Sequence, residues 1–353
     1  MPDKNYARSN IAKMEGYTPG EQPRGRTLIK LNTNENPYPP SPAVTEALQH
    51  MDANRLRLYP DPVCTQLREE ISELYGLSKD WAICGNGSDD LLTIAVRTFV
   101  DQNAAIAYPD PSYSLYPVLA DIQGARHVVI NLTATFGLPA NVTAAARDAS
   151  LLFLARPNAP TGNCFPVDQI RMLADEFDGI LYIDEAYADF ADDNCIDLVR
   201  EFPNVIVSRT LSKSYSLAGI RLGYAFAHPD LIAEMGKVKD SYNVNMLTQA
   251  LGLAAIRDRE YFAANVKKVR QTRERVTKAL DEMGFATLPS QANFLFTKPP
   301  VAAAEYVQSL RDAGILVRYF PGKRTGDYVR ITIGTDDEMD ALIAATKKIV
   351  EGQ

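Results

Sequence analysis

The chain has 353 residues, 46% hydrophobic and 23% charged, with a formal net charge of −7, which is enough for one large domain with a sizeable core plus a smaller one. The acidic balance, without a long basic run, argues against nucleic acid or an anionic membrane as the main partner, though it leaves room for a local basic pocket holding a small anion. Four cysteines without a C-x-x-C pair (Cys64, Cys84, Cys164, Cys195) and three scattered histidines (His50, His127, His228) speak against a local metal motif or a Ser-His-Asp hydrolase.

Residues 1–40 are rich in Pro, Gly and Asn and carry no apolar stretch like that of a signal peptide. They read as a disordered tail or as an arm, with Tyr17, Leu28, Ile29 and Leu31 available to dock on the body or on a second subunit. Ser41-Pro42 opens a helix with a hydroxyl cap and a proline in the first turn. Gln66 to Leu74 is an amphipathic helix, and Trp81 to Cys84 a short buried strand. That strand runs into Gly85-Asn86-Gly87-Ser88, followed by a helix from Asp89 to Val100. Short apolar runs then recur at 104–108, 127–130, 151–155, 180–183 and 205–208, with helices or loops between them, and Gly223 to Ala227 adds another. This alternation predicts an α/β fold with a mostly parallel sheet covered by helices on both faces. In such sheets ligands bind at the carboxyl ends of the strands.

After Tyr242 the pattern changes. Helices are expected at 247–256, 259–283, 302–313 and 337–350, and strands at 294–296, 315–318 and 328–333. These form a small α+β unit, with the division at the long helix: residues 1–40 as arm, 41–258 as large domain, 259–353 as small domain. No run reaches the ~18 apolar residues of a membrane-spanning helix, so a soluble cytoplasmic protein is expected, as scattered thiols also suggest.

The unusual polar residues follow strands. Lys213 lies in a run of small hydroxyl residues after the strand ending at Ser208, eight positions before Arg221. A lysine amine can form a Schiff base with an aldehyde cofactor, and Thr210, Ser212 and Arg221 could hold a phosphate. Asp184 ends a strand, where it could meet a cation such as a pyridinium nitrogen or simply cap the next helix. Tyr187, three residues on, could bond a ring oxygen or merely pack. Asn158 sits in the proline-fixed loop Arg156-Pro157-Asn158-Ala159-Pro160-Thr161-Gly162, where turn chemistry explains the prolines but not the asparagine. Free N–H groups at Ser88 and Asp89 would favour a phosphate, although the turn lacks the G-x-G-x-x-G and P-loop patterns. Tyr113 could stack on a flat heterocycle or belong to the core. Arg318 and Arg330, in strand patterns, suit a carboxylate or phosphate, or reach solvent from an edge.

Taken together these segments resemble the fold-type I pyridoxal-phosphate-dependent aminotransferases, within class II, and specifically the histidinol-phosphate aminotransferase group. The matching stretches are Leu31-Asn32-Thr33-Asn34-Glu35-Asn36-Pro37, Tyr59-Pro60-Asp61, Gly85 to Asp89, Pro157 to Gly162, Asp184 to Tyr187, Ser212-Lys213 with Ala218 to Gly223, and Val329 to Thr332. The resemblance implies a large cofactor-binding domain, a small C-terminal one, and pyridoxal 5'-phosphate as cofactor. It makes Lys213 the lysine joined to the cofactor and the carrier of the transferred proton, and Asp184 the partner of the ring nitrogen. It makes Asn158 and Tyr187 the partners of the ring oxygen, with Asn158 also near the substrate, and Tyr113 the residue stacked on the ring. Ser88, Asp89, Thr210, Ser212 and Arg221 would bind the cofactor phosphate. Tyr59 would reach the neighbour's cofactor across a homodimer interface. Arg330 would take the substrate's carboxylate or phosphate, and Arg318 and Tyr17 the phosphate of histidinol phosphate. The implied reaction exchanges an amino group between histidinol phosphate and 2-oxoglutarate in histidine biosynthesis. The rivals are an aromatic-amino-acid aminotransferase, an amino-acid-phosphate decarboxylase using the same cofactor, and a catalytically silent regulator, for which no DNA-binding domain is evident.

Overall fold

The computed structural model describes residues 6–23 and 28–352. Parts of the expected arm, residues 1–5 and 24–27, lie outside the described residues. In chain order the strands are β1 (Ile29–Lys30), β2 (Ala82–Gly85), β3 (Ala105–Asp110), β4 (Arg126–Asn131), β5 (Leu151–Ala155), β6 (Ile180–Asp184), β7 (Val205–Thr210), β8 (Gly223–Ala227), β9 (Ala286–Thr287), β10 (Phe294–Lys298), β11 (Ile315–Leu316), β12 (Arg318–Tyr319) and β13 (Val329–Thr332). The helices begin with α1 (Pro42–Gln49), α2 (Thr65–Glu73), α3 (Ser88–Phe99), α4 (Leu115–Gln123), α5 (Val142–Ala146) and α6 (Val167–Glu176). They continue with α7 (Leu198–Glu201), α8 (Pro229–Val238), α9 (Met246–Arg257), α10 (Arg259–Glu282), α11 (Ala303–Asp312) and α12 (Asp336–Glu351). Among the described residues no helix is long and apolar enough to cross a membrane.

The large sheet has the order β2-β8-β7-β6-β5-β3-β4. The pairings from β4 through β3, β5 and β6 to β7 are parallel, while β8 runs antiparallel to β7 and β2. The central strands are apolar without interruption because both faces are covered. Alternate residues serve opposite sides. Leu152, Leu154, Ile183 and Val207 enter one core, and Leu151, Phe153, Tyr182 and Ile206 the other. The result is the α/β architecture expected from the alternation of strands and helices. The opening of α1 also follows its sequence signal: Ser41 accepts from the Ala43 N–H and Pro42 stands in the first turn.

The C-terminal sheet, β12-β13-β10-β9, is antiparallel throughout. Helix α10 lays Val269, Val276 and Leu280 into a separate core with Leu295, Tyr306, Ile331 and Leu342, a spacing that puts one helical face inward. A capping box between Thr335 and Glu338 starts α12. One expected strand divides. Ile315 to Arg318 reads as a single run, yet Ile315–Leu316 pairs parallel with β1 of the arm, whereas Arg318–Tyr319 pairs antiparallel with β13. Periodicity reports burial, not partner, so the apolar run hid the change of sheet.

Gly223 lies between Gly85 and Thr210 across the sheet. A Cβ there would stand 2.5 Å from the Ser88 nitrogen and 2.6 Å from the Gly87 carbonyl carbon. Backbone cannot swing aside as a side-chain tip can. Gly223→Ala is therefore expected to destabilise by about 1–3 kcal/mol, read as a lower denaturant midpoint at unchanged slope. An unshifted midpoint would contradict this close approach.

Candidate active site

The carboxyl ends of the parallel strands open onto a cleft of about 480 Å³, where ligands bind in sheets of this kind. Ser88, Asp89, Tyr113, Asp184, Tyr187, Thr210, Ser212, Lys213 and Arg221 all stand on its wall, and Tyr17, Arg318 and Arg330 join them from the arm and the C-terminal sheet. Residues up to 313 positions apart in the sequence thus share one cavity.

Two of the residues singled out from sequence lie elsewhere. Asn158 is fully buried behind the wall. Its Nδ2 donates to the Pro111 carbonyl at 3.0 Å and to Thr161 Oγ1 at 2.7 Å, and its Oδ1 accepts from Ser112 at 2.7 Å. The amide expected to face a ligand is instead consumed in holding the turn before Tyr113. Tyr59 is 78% exposed and stacks on Tyr242 with ring centroids 4.4 Å apart, off the cleft wall.

Asp184 ends β6, where the sheet carries it into the interior. Tyr116, itself fully buried, donates to its Oδ2 at 3.0 Å, and the Ala186 N–H donates to Oδ1 at 3.2 Å. No cation pairs with it among the described residues. Burial pushes its pKa from 3.8 up to about 6, against the pull of the Tyr116 hydroxyl. A carboxylate so placed calls for a positive partner. The next residue, Glu185, contrasts with it. Its oxygens meet Arg209 Nε at 2.9 Å and the Cys195 N–H at 2.6 Å. Arg209 also pairs with Asp189, which accepts from Ser214, the neighbour of Lys213. This satisfied buried network ties the ends of β6 and β7 to the lysine loop.

Lys213 Nζ donates to the Thr33 carbonyl at 3.2 Å and lies 5.5 Å from the Tyr187 ring centroid. Asn36 Nδ2 donates to the carbonyls of Lys213 (3.0 Å) and Ser214 (3.2 Å), and Asn34 Nδ2 to the Tyr187 hydroxyl at 3.0 Å. The Asn-Glu-Asn-Pro segment thus fixes both residues. Asn34 stands at φ 58°, a left-handed conformation that asparagine tolerates better than most residues.

A second cluster gathers at the start of α3. Its cap, Gly87, offers no side-chain bond, so the first N–H groups of a twelve-residue helix are left without a side-chain cap. Arg221 donates to Ser212 Oγ at 3.2 Å and reaches Asp89 at 3.4 Å. Thr210 Oγ1 bonds Ser212 Oγ at 3.0 Å. A helix start, two hydroxyls and a guanidinium make a cradle for a phosphate. Tyr113 donates to Asp89 at 3.1 Å and meets Tyr17 and Tyr116 edge-on.

Pyridoxal phosphate suits this donor set on two observations: a buried carboxylate that meets no cation among the described residues, and a cradle for a phosphate in the same cleft. The residues whose part sequence reasoning missed are Tyr116, Thr33, Asn34, Asn36 and Phe320. Tyr116 lies three positions after Tyr113, a spacing that would have put it within reach.

The raised pKa of Asp184 has a measurable sign. The folded, cofactor-free chain holds this proton more tightly than the unfolded chain. The associated stability is present below the unfolded value and lost as pH rises through about 6. Asp184→Asn apoprotein should therefore gain on wild-type apoprotein between about pH 4 and 7, by on the order of 3 kcal/mol, in denaturant titrations at several pH values. A pH-independent difference would contradict it.

The comparisons agree with this geometry. The profile of the family "Aminotransferase class I and II" matches residues 26–345. A histidinol-phosphate aminotransferase of Trichormus variabilis is 45% identical over 98% of this chain and 99% of its own length. Another, of Synechocystis sp., is 48% identical over 96% of each chain. The crystal structure of histidinol-phosphate aminotransferase from Sinorhizobium meliloti, in complex with pyridoxal-5'-phosphate, superposes with a TM-score of 0.90 at 26% identity, covering 99% of both chains. By profile, by relatives aligned end to end and by fold, the chain belongs to the class I and II aminotransferases, in the histidinol-phosphate aminotransferase group.

Proposed function

We propose that this pyridoxal-phosphate-dependent aminotransferase exchanges an amino group between histidinol phosphate and 2-oxoglutarate, giving imidazole-acetol phosphate and glutamate. The observation that carries the reading is the presence in one cleft of a lysine amine, a buried carboxylate and two arginines that have no partner of opposite charge among the described residues. The substrate named for the relatives supports it. When bound, the cofactor supplies an electron sink for the negative charge that develops at the substrate carbon. In the proposed arrangement Asp184 holds the positive charge of the ring nitrogen, and its buried position strengthens that attraction. Tyr187, anchored by Asn34, faces the ring oxygen, and Asn158 keeps the adjoining turn in place. The N–H groups of Ser88 and Asp89, the hydroxyls of Thr210 and Ser212, and Arg221 hold the cofactor phosphate, with Tyr113 against the ring.

Lys213 Nζ is the group that would move the proton, taking it from the substrate Cα and returning it two atoms away, at the cofactor's aldehyde carbon. Asn36 and Thr33 keep its loop and amine in reach. Arg330 takes the carboxylate of glutamate or the phosphate of histidinol phosphate, since its planar fork suits both. Arg318 and Tyr17 add to the phosphate side. The proposed organisation is an arm (1–40), a large cofactor-binding domain (41–258) and a small domain (259–353), working in the cytoplasm as a homodimer. The dimer reading is supported by exposed Leu48, Leu56, Leu58, Tyr59 and Val63 in one segment and Tyr242 and Leu247 in another, more apolar exposure than an isolated surface needs. Tyr59 would then serve the neighbouring cleft.

Lys213→Ala should lose at least about a hundredfold in turnover and release its cofactor on dialysis. Mass spectrometry after borohydride reduction should place the cofactor on Lys213 in wild type alone. Near-normal turnover by the variant would contradict the assignment. Arg318→Ala should raise KM for histidinol phosphate by about 10–100-fold, the worth of a charge-assisted bond, and that for glutamate by much less. Equal losses would remove its phosphate role, and faster turnover of phenylalanine than of histidinol phosphate by wild type would favour the aromatic reading.

A further inference from the structure

Arg318 and Arg330 are register partners across the antiparallel pair β12–β13, so both project from one face, where like charges repel. Among the described residues, the hydrogen bonds of their side chains go only to backbone carbonyls, from Arg318 to Thr18 at 3.5 Å and from Arg330 to Asn32 at 2.8 Å. Among the described residues no carboxylate pairs with either, and Arg330 Nε is buried without a hydrogen-bond partner. What the chain places around them is aromatic. The guanidinium carbon of Arg330 lies 5.2 Å from the ring centroid of Phe320 and 5.3 Å from that of Phe294, and that of Arg318 lies 5.5 Å from Phe320. One ring therefore serves two cations.

An aromatic face attracts a guanidinium electrostatically without cancelling its charge. A carboxylate would hold the same groups firmly but would have to be displaced by any incoming anion. Phe320 is held in turn: Thr325 Oγ1 donates to its carbonyl at 2.8 Å, and Arg324 ties the following loop to the carbonyls of Asp110 and Thr133, each at 2.7 Å. We propose that Phe320 is a positioning residue for anion recognition, a shared platform that keeps Arg318 and Arg330 side by side, charged and unpaired, until a substrate phosphate or carboxylate arrives. This rests on the reading that these two arginines receive the substrate's anionic groups.

The test uses holoenzyme carrying Phe320→Leu, Phe320→Met or Phe320→Tyr, titrated calorimetrically with succinate and with inorganic phosphate, alongside steady-state kinetics. The aliphatic variants should bind both anions on the order of tenfold more weakly, the scale of a partly desolvated cation–π contact. KM for glutamate and for histidinol phosphate should rise by a similar factor, with kcat within about twofold, and Phe320→Tyr should stay within about twofold of wild type throughout. Should the leucine variant fail to fold, the methionine variant, with its adaptable side chain, decides the question. Unchanged anion affinity in an aliphatic variant, or equal losses in the tyrosine and aliphatic variants, would overturn the proposal. If wild type does not turn over histidinol phosphate, the substrate reading fails, while the succinate and phosphate titrations still decide the role of Phe320.

Discussion

Five consecutive residues of the arm, Asn32 to Asn36, hold the cleft together. Through their amides and carbonyls they bond Lys213 from the loop after β7, Tyr187 from the loop after β6, and Arg330 and Thr332 from β13. No face of this segment is apolar enough to be placed by burial alone. Its position follows from the requirement that buried backbone and amide groups find partners. Asn293 completes the set by donating to the Asn34 carbonyl at 3.0 Å. The large sheet supplies rigid strand ends, but it is this thread that gives the amine and the arginines a common frame.

Two adjacent acids at the end of β6 divide the electrostatic work. Glu185 is satisfied inside the protein by Arg209 and a backbone N–H, and it fastens the strands. Asp184 keeps a carboxylate that meets no cation among the described residues. The phosphate cradle follows the same logic at the other sign. The start of α3 lies close above Gly223, and Arg221 reaches toward it, where the helix's own N–H groups await an anion.

The succession of strands along the chain, the sheet type and the polar residues after the strand ends were legible because each leaves a local mark: continuous apolar runs followed by Asp, Gly or a lysine among hydroxyls. Lys213, Asp184, Arg221 and Ser88 could be named as candidates for that reason. What could not be read depends on partners distant in sequence. Tyr116 matters only because packing brings its hydroxyl to Asp184. Phe320 looks like any aromatic just past a strand until two guanidiniums are found beside it. The destination of the Asn158 amide was equally open, since a buried asparagine can face a cavity or its own loop with the same sequence around it. The division of Ile315 to Tyr319 between two sheets leaves no trace in hydropathy, which reports burial and not the identity of the partner strand.

The bonds from Asn34 to Thr332 and from Arg330 to Asn32 each span 298 positions. Closing loops of that length is entropically slow and depends on the end of the chain being present. On a ribosome the strand ends of the large sheet can form while the arm still lacks its β13 partners. A chain halted short of β13 would carry the buried carboxylate and the lysine without the bonds from Arg330 and Thr332 that complete the frame.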